Sequence, residues 1–546
     1  MPERIVVIGY GPVGARFVDE LEPALRAGLV EVTVIGAEAV DPYNRVLVAE
    51  YAVGHTALDA MSLGGSTTAV DAGARILTGA TVTSISRSRR FVSISRGVGT
   101  DPEQVPYDRL VFATGARANV PTLDGVPRVR RDHLAPPSDG RMLDSAGGAL
   151  PAGITVLRDL LDAEAVLEAV SSGRRIIVLG AGVLGMEIAL AAASAGAQVC
   201  VVYHGGIPMA RSLDRGSGTV LARAARQAGV TMLDHSRAES VVLRHDDDGV
   251  ARFDMLVCAD GKQIAGDMLL LSCGVSARSE LARSAGLDVA AGILVDATLR
   301  TWSDPFVYAI GDCAHIAAKP APGASSALPP GAPSGLIGPG WRQADWLAVS
   351  MIAELTGSDS TPALAPERPA LVMLKADGID LVAAGDLSAD PWDSGPSDNT
   401  AGCQHAALQV AEWADPQHGR YVKMVTRQGV LEAFASVGMP RTGAELALLF
   451  QRGSELPSDR SVLLRYDGPD YEPTSANDGF ARDATVCWCN AVTVGSVADS
   501  AAAGDGTVAC VSAATRAGTG CGGCKGRIAE VIDWFAQHGE AREVPA

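Results

Sequence analysis

The same glycine loop occurs twice in this chain, and that repeat constrains the fold more than any other feature. Residues 9–14 (GYGPVG) and 180–185 (GAGVLG) each follow a short β-branched run, residues 5–8 (IVVI) and 176–179 (IIVL), and each opens onto a helix-forming stretch. A strand that turns through glycines into a helix offers backbone N–H groups and a positive helix end to a pyrophosphate. In each loop the first glycine (Gly9, Gly180) permits the turn, the second (Gly11, Gly182) lets the diphosphate approach, and the third (Gly14, Gly185) lets helix and strand pack closely. One such match is weak evidence. Two predict separate nucleotide-binding units, with strand, loop, helix and strand over residues 3–38 and again over 174–204.

Glu38 closes the second strand of the first unit, where a carboxylate can accept both hydroxyls of an adenosine ribose; a solvated strand-end charge is the plainer alternative. In the second unit the strand over 199–203 ends at His204, with no acid at the ribose position. A protonated His204 could pair with a 2′-phosphate alongside Arg211, so use of both NADH and NADPH is expected. Two dinucleotide sites imply two different nucleotides. FAD in the first and NAD(P)H visiting the second is the expected division, because a flavin accepts a hydride and releases its electrons singly. The candidate NAD(P)H residues are Gly180, Gly182, Gly185, Glu187, His204, Arg211 and Gly274.

At 546 residues the chain calls for several cores, and 47% hydrophobic against 20% charged residues is enough to fill them. A net charge of −18 with no basic run makes nucleic acid a poor partner. Residues 176–203 are apolar and long enough to span a bilayer, but they contain Glu187 and a glycine fingerprint, so a buried strand, turn and helix is expected rather than a membrane span. Residues 1–14 run from strand straight into glycine loop with no secretion signal, which predicts a cytoplasmic protein.

Residues 75–95 alternate like a hairpin, and apolar strands over 107–114, 268–273 and 306–310 lead into Gly115, Gly274 and Gly311. Strands over 370–374, 381–384, 421–426 and 430–436, followed by a helix over 443–452, predict a separate α+β domain. Residues 131–153, 317–340 and 466–484 are rich in Pro, Gly, Ser or Asp and read as loops or linkers. The expected layout is 1–153 and 293–360 for FAD, 154–292 for NAD(P)H, 368–465 for the α+β domain, a tether over 466–484, and a tail domain over 485–540.

Ten cysteines without a secretion signal point to metal or redox use. Cys487 and Cys489 (CWC), with Cys521 and Cys524 (GTGCGGCK over 518–525), form two tight pairs that can ligate one centre. The flanking glycines allow N–H groups to point at sulfur, which suits an anionic iron–sulfur cluster; a structural zinc ion is the alternative. Cys200, Cys258, Cys273, Cys313, Cys403 and Cys510 read singly as small buried residues. No close cysteine pair lies near the flavin segments, so a dithiol relay is not expected.

With Ala113, Thr114 and Gly115, and with Gly311 and Asp312 (YAIGDCA), the pattern resembles the two-dinucleotide flavoprotein reductases of the pyridine nucleotide-disulfide oxidoreductase superfamily. The resemblance implies an α/β chain with two Rossmann-like dinucleotide-binding domains, for FAD and NAD(P)H, an α+β C-terminal reductase domain, and a small helical 2Fe-2S domain. It places Thr114 and Gly115 beside FAD and gives Asp312 the ribityl chain, a role compatible with a helix cap. Residues 42–47 (PYNRVL) resemble a segment of the flavoprotein half of assimilatory nitrite reductases and nitrate reductase electron-transfer subunits, which implies that Arg45 approaches FAD.

That likeness continues through 212–214, 301–313 and 374–386, with departures at Val48 and Ala49, where such proteins often have Leu-Ser, and in the proline-rich loop 317–340. Residues 515–524 (TRAGTGCGGC) resemble the bacterioferritin-associated-ferredoxin-like 2Fe-2S domain. The resemblance therefore implies a reductase that passes electrons from NAD(P)H through FAD and a 2Fe-2S cluster to a partner, expected to be the molybdenum-containing catalytic subunit of an assimilatory nitrate reductase. A separate sirohaem nitrite reductase, a rubredoxin or an oxygenase ferredoxin is the alternative acceptor, and a redox-sensing regulatory protein the alternative class. No sirohaem domain follows the tail in this sequence, so its electrons are expected to leave to another protein.

Overall fold

The computed structural model describes residues 1–97, 102–126, 150–320, 329–358, 363–364, 371–374, 376, 378–392, 408–468, 480, 482, 484–487, 490, 492–520 and 522–538. The strand Glu3–Ile8 runs parallel between Val30–Ile35 and Arg109–Phe112, at the heart of an eight-stranded sheet. Its apolar run is continuous because both faces are covered: Ile5, Val7, Val34, Leu110, Val111 and Phe112 are all buried. The helices Pro12–Glu20 and Ile337–Thr356 pack against each other over this sheet. Strands Ile293–Val295, Asp304–Ala309 and Ala314–Ile316 join the same sheet after the chain has left it to build the second unit.

The second unit repeats the plan on a smaller scale. Arg175–Leu179 lies parallel between Gln198–Val202 and Met268–Leu271 in a five-stranded sheet. The expected hairpin over 75–95 divides: Thr81–Ser86 and Phe91–Ser95 pair antiparallel, but Arg75–Leu77 joins the main sheet parallel to Val30–Ile35. Alternation alone cannot tell a hairpin arm from an edge strand, since both bury one face.

An arginine–aspartate clamp is built identically into both units. Arg4 donates to Asp108 from its backbone N (2.9 Å), Nε (2.9 Å) and Nη2 (2.8 Å). Arg175 donates to Asp267 in the same way, at 2.8, 3.0 and 2.9 Å. Each clamp ties the fingerprint strand to the residue just before the neighbouring parallel strand. The arginine hydrogen bonds hold both carboxyls down to about 2, against about 3.9 for an unfolded aspartate. A carboxyl depressed on folding contributes stability above the unfolded value, and that contribution is lost as pH falls through the folded one. The Asp108→Asn, Asp267→Asn double variant is expected to have a lower urea midpoint at neutral pH. Between about pH 4 and pH 2 its midpoint should fall less steeply than that of the parent; parallel curves would exclude the clamps as acid-labile contacts.

Five antiparallel strands, Val372–Leu374, Leu381–Ala384, Leu408–Asp415, Arg420–Arg427 and Val430–Val437, form the third sheet, with helix Pro440–Arg452 across it. The sequence reading missed Leu408–Asp415, an edge strand with no fully buried residue. Lys423 is buried in this sheet; its Nζ donates to Leu387 O at 2.9 Å and lies 3.5 Å from Asp214. The Tyr421 hydroxyl also donates to Asp214, which caps helix Arg215–Gln227 through Ser217 N at 3.1 Å. This network bolts the third sheet to the second unit.

In the tail, helices Val494–Ala502, Val508–Thr515 and Lys525–His538 enclose a small core that includes Val486, Val497, Val511, Ala517, Ile528 and Val531. The expected tether over 466–484 lies outside the described residues except for 466–468, 480, 482 and 484, as do 131–149 and 321–328 of the two proline-rich loops. Among the described residues no helix is long and apolar enough to cross a membrane.

Candidate cofactor and electron-transfer site

The glycines of each fingerprint divide into two kinds. Gly9 has φ +114°, and a Cβ there would stand 2.2 Å from Ala113 O; a Cβ on Gly14 would stand 2.2 Å from Gly9 O. Gly180 and Gly185 are confined in the same way, by Ser272 O and Gly180 O, each at 2.2 Å. Packing of the chain itself therefore demands the first and third glycines. The middle ones are different: a Cβ on Gly11 meets only Arg45 Nε at 3.9 Å, and on Gly182 nothing within 4 Å. Helices Pro12–Glu20 and Val183–Ser194 start at these two open positions without a side-chain cap, which leaves backbone N–H groups for an incoming phosphate.

Around Gly11 opposite charges meet, with Glu38, Asp41 and Arg45 lining one cleft. Arg45 pairs with Glu38, stacks on the Tyr43 ring at 4.9 Å and donates to Arg158 O at 3.0 Å. The Tyr43 hydroxyl donates to Glu38 at 2.9 Å, so that carboxylate is held by two partners rather than by solvent. These side chains line a cleft with Tyr10, Gly11, Pro12 and Asp41. Arg158 Nη2 bonds Asp312 at 2.9 Å, and Arg117 pairs with Glu280.

No carboxylate among the described residues pairs with half-buried Arg278. Burial, then the neighbouring Arg45, Arg158 and Arg117, push its pKa down. An open glycine, an uncapped helix start and a guanidinium in want of an anion fit the pyrophosphate of FAD. Thr114 Oγ1 donates to Arg278 O at 2.9 Å, and Gly115 and Gly311 both take positive φ, +67° and +72°. A Cβ on Gly311 would press on Val13 at 3.3 Å, so the segment bearing Asp312 abuts the fingerprint helix.

At the second fingerprint, Gly274 has φ +82° and its carbonyl accepts from Asn119 N at 2.9 Å, while Glu187 is half-buried on the helix. His204 and Arg211 are both exposed, and no hydrogen bond or ion pair among the described residues joins them. Burial pushes the Cys200 and Cys273 thiols up to about 11 and raises Cys258 and Cys313, so none of these is a ready thiolate. Cys258 and Cys313 are buried and Cys200 and Cys273 half-buried. Cys510 departs from expectation: it is exposed on the short helix Val508–Thr515, where only Val511 turns inward. Cys403 lies outside the described residues.

Of the four tail cysteines, Cys489 and Cys521 lie outside the described residues. Cys487 and Cys524 converge. A hydrogen bond from Cys524, with the backbone N–H groups of Gly518 and Asn490, holds Cys487 down to about 5 against the opposing effect of burial. Asn490 Nδ2 adds a donor 3.8 Å from Cys487 Sγ. Several N–H groups on one sulfur fit an anionic 2Fe-2S centre. Sequence reasoning missed Arg158, Arg278 and Asn490. Arg158 sits beside the capping-box signal of Asp159 and Asp162, which announces a helix start and nothing about a ligand.

Two glycine-loop nucleotide units, a third sheet and a cysteine tail define the class: a two-nucleotide flavoprotein reductase with a cluster-bearing extension. Residues 3–328 match the pyridine nucleotide-disulphide oxidoreductase family, and the chain belongs to it. Residues 485–534 match the BFD-like [2Fe-2S] binding domain. The Nitrite reductase [NAD(P)H] of Bacillus subtilis (strain 168) is 25% identical over 532 residues, covering 97% of this chain and 57% of the relative. The Assimilatory nitrate reductase electron transfer subunit of the same organism is 26% identical over 540 residues, covering 98% and 60%. The Nitrite reductase (NADH) large subunit of Escherichia coli (strain K12) is 28% identical over 535 residues, covering 97% and 55%.

The chain thus spans between 55% and 60% of the length of these relatives. Among solved structures, the covalent putidaredoxin reductase–putidaredoxin complex superposes with a TM-score of 0.63 at 21% identity, over 85% of this chain and 98% of that one. A NAD-dependent persulfide reductase from A. fulgidus gives 0.64 at 23% identity, over 83% and 77%. These two share the fold. The chain is an NAD(P)H-dependent oxidoreductase that works with FAD and a 2Fe-2S cluster.

Proposed function

We propose that the chain takes electrons from NAD(P)H at the Gly182 loop, through FAD at the Gly11 loop and the 2Fe-2S cluster of the tail, to a separate protein. That acceptor is the molybdenum-containing catalytic subunit of an assimilatory nitrate reductase. Bound FAD supplies the step from a two-electron hydride donor to one-electron carriers. In this reading Glu38 takes the adenosine ribose, Arg45, Arg158 and Arg278 balance the pyrophosphate, and Asp312 orients the ribityl chain. Glu187, His204, Arg211 and Gly274 border the nicotinamide nucleotide.

The observation that carries the reading is the seating of the cysteine loop on residues 43–45: Asn44 donates to Thr519 O at 2.7 Å, while its neighbour Arg45 lines the FAD cleft. The relative named as a nitrate reductase electron transfer subunit supports the acceptor; those named nitrite reductases favour a second reading, with a sirohaem protein in its place. Reconstitution tests it. NAD(P)H oxidation is expected to couple to nitrate loss when the purified molybdenum subunit is added, and coupling only to nitrite loss with a sirohaem protein would establish the second reading. Exposed His204 offers no fixed anion to reject NADPH, so stopped-flow reduction is expected with both nucleotides. A preference above about a hundredfold, roughly 2.7 kcal/mol, would overturn dual use.

A further inference from the structure

The tail domain is not merely near the FAD-binding unit; three polar contacts hold it there. Asn44 is 3% exposed, with its backbone N–H fixed on Met61 O at 2.7 Å. Its side chain divides its two ends. Oδ1 accepts from Val46 N at 3.1 Å and caps the turn Arg45–Leu47, while Nδ2 donates across the interface to the carbonyls of Thr519 and Gly520, immediately before the second cysteine pair.

A second contact starts from the fingerprint helix. Arg16, fixed by Asp345 through two bonds of 2.5 Å, donates from Nη1 to Asn490 Oδ1 at 2.9 Å. Asn490 Nδ2 in turn donates to Arg516 O at 2.7 Å and to Thr519 Oγ1 at 3.2 Å, and it lies 3.8 Å from Cys487 Sγ. The third contact is the ion pair between Arg516 and Glu20 at 2.7 Å, with Asp345 a further 3.9 Å neighbour of Arg516. Both partners of the interface are thus the loops that carry function: the 43–45 segment and fingerprint helix on one side, the cysteine loop on the other.

We propose that Asn44, with Arg16–Asn490 and Glu20–Arg516, forms a latch that docks the cluster domain on the FAD unit in the geometry used for flavin-to-cluster electron transfer. The inference rests on the electron route proposed above. A buried amide that donates to two carbonyls of a cysteine loop has no task in folding the FAD unit, whose turn needs only the oxygen of Asn44. Its nitrogen serves the interface. Electrons cross one at a time: NAD(P)H supplies two to the flavin, each crossing oxidises the flavin by one and reduces the cluster by one, and the second crosses after the first has left to the acceptor. Asn44, Glu20 and Arg516 act here as positioning residues.

The test uses the full holoprotein. Asn44→Asp is isosteric and keeps the oxygen that faces Val46 N, but it sets a carboxylate oxygen against two carbonyls. Glu20→Arg and Arg516→Glu each place like charges across the ion pair, and the double charge swap restores it. Small-angle scattering is expected to show a larger radius of gyration for each single variant, with FAD content and the reduced-cluster paramagnetic spectrum unchanged. In stopped-flow, NADH should bleach the flavin at the parent rate, while cluster reduction slows by about tenfold or more as the docked population falls. The double swap should recover both readouts.

Parent scattering and parent cluster-reduction rates in Asn44→Asp and both charge reversals would overturn the latch. Loss of FAD from Asn44→Asp, with normal cluster reduction in Glu20→Arg, would also overturn it by assigning Asn44 to flavin binding. Failure of the electron route reads differently: the parent protein itself would then show a flavin reduced by NADH and a cluster that stays oxidised.

Discussion

Replacing Gly11 with valine is expected to give a protein that folds and purifies without FAD, whereas valine at Gly182 is expected to leave FAD in place and abolish reduction by NAD(P)H. The argument rests on what each added side chain would meet. Gly11 sits at φ −84°, ψ −174° and Gly182 at φ −74°, ψ −178°, extended backbone that any residue adopts. Neither position is crowded by the chain, since the nearest atom to a Cβ is Arg45 Nε at 3.9 Å in one case and lies beyond 4 Å in the other. The cost therefore falls on a dinucleotide whose pyrophosphate must approach the backbone there.

A side chain in that space is expected to weaken binding by about a thousandfold or more, on the order of 4 kcal/mol. The flavin-to-protein ratio after gel filtration reads the first variant, and stopped-flow flavin bleaching reads the second. Circular dichroism should match the parent in both. If the Gly182 variant lost FAD and the Gly11 variant kept it, the assignment of the two loops would be reversed. Gly9 and Gly180 cannot serve this test, because φ near +114° and a carbonyl 2.2 Å from the new Cβ would break the fold first.

Serine at both Cys521 and Cys524 is expected to remove the cluster and stop electron delivery to the protein acceptor, with NAD(P)H reduction of ferricyanide nearly intact. Cys524 donates to Cys487, and the thiolate preference of that pair depends on both sulfurs. A hydroxyl is a far poorer iron ligand than a thiolate. Iron and acid-labile sulfide should be present in the parent and absent from the variant. Small dyes reach the flavin directly, so their rate should stay within about twofold of the parent. Acceptor turnover should fall by at least about a hundredfold if the cluster is the exit, a loss of about 2.7 kcal/mol in transition-state terms. Parent-rate turnover without the cluster would make the FAD itself the donor and the tail a docking module. Stoichiometric zinc without sulfide in the parent would remove the cluster from the route altogether.

Much of this architecture was legible in the residues because its signals are local. A glycine loop between a β-branched strand and a helix is complete within about 30 residues, and it specifies a parallel strand, an uncapped helix start and a place for phosphate whatever surrounds it. Glu38, just past the strand Val30–Ile35, and the cysteine pairs of the tail are likewise marked by local spacing alone. The alternating stretch over 75–95 was ambiguous for the converse reason: one-sided burial is the same in a hairpin and at a sheet edge, and only the partner strand distinguishes them.

What the tertiary structure alone decided is how distant charges and loops meet. Arg45, Arg117 and Arg158 come from three segments and gather near Arg278, with Arg45 beside the open Gly11. Arg4 finds Asp108, and Arg175 finds Asp267, across parallel strand pairs whose crossovers are long. Glu38 is no waiting carboxylate; it is already held by Arg45 and Tyr43. Residues 466–484 read as a tether, and the tail domain beyond them sits against the first glycine-loop unit, with Asn44 and Thr519 brought together across 475 positions of chain. The order of strand, glycine loop and helix is local, so the sequence by itself determined the two glycine loops, while the carbonyls that confine Gly9 and Gly180, on Ala113 and Ser272, come from distant segments. Hydrogen bonds and Coulomb pairs between far segments depend on where the sheets carry them, so the charge around Gly11 and the seat of the tail domain were decided only by the fold.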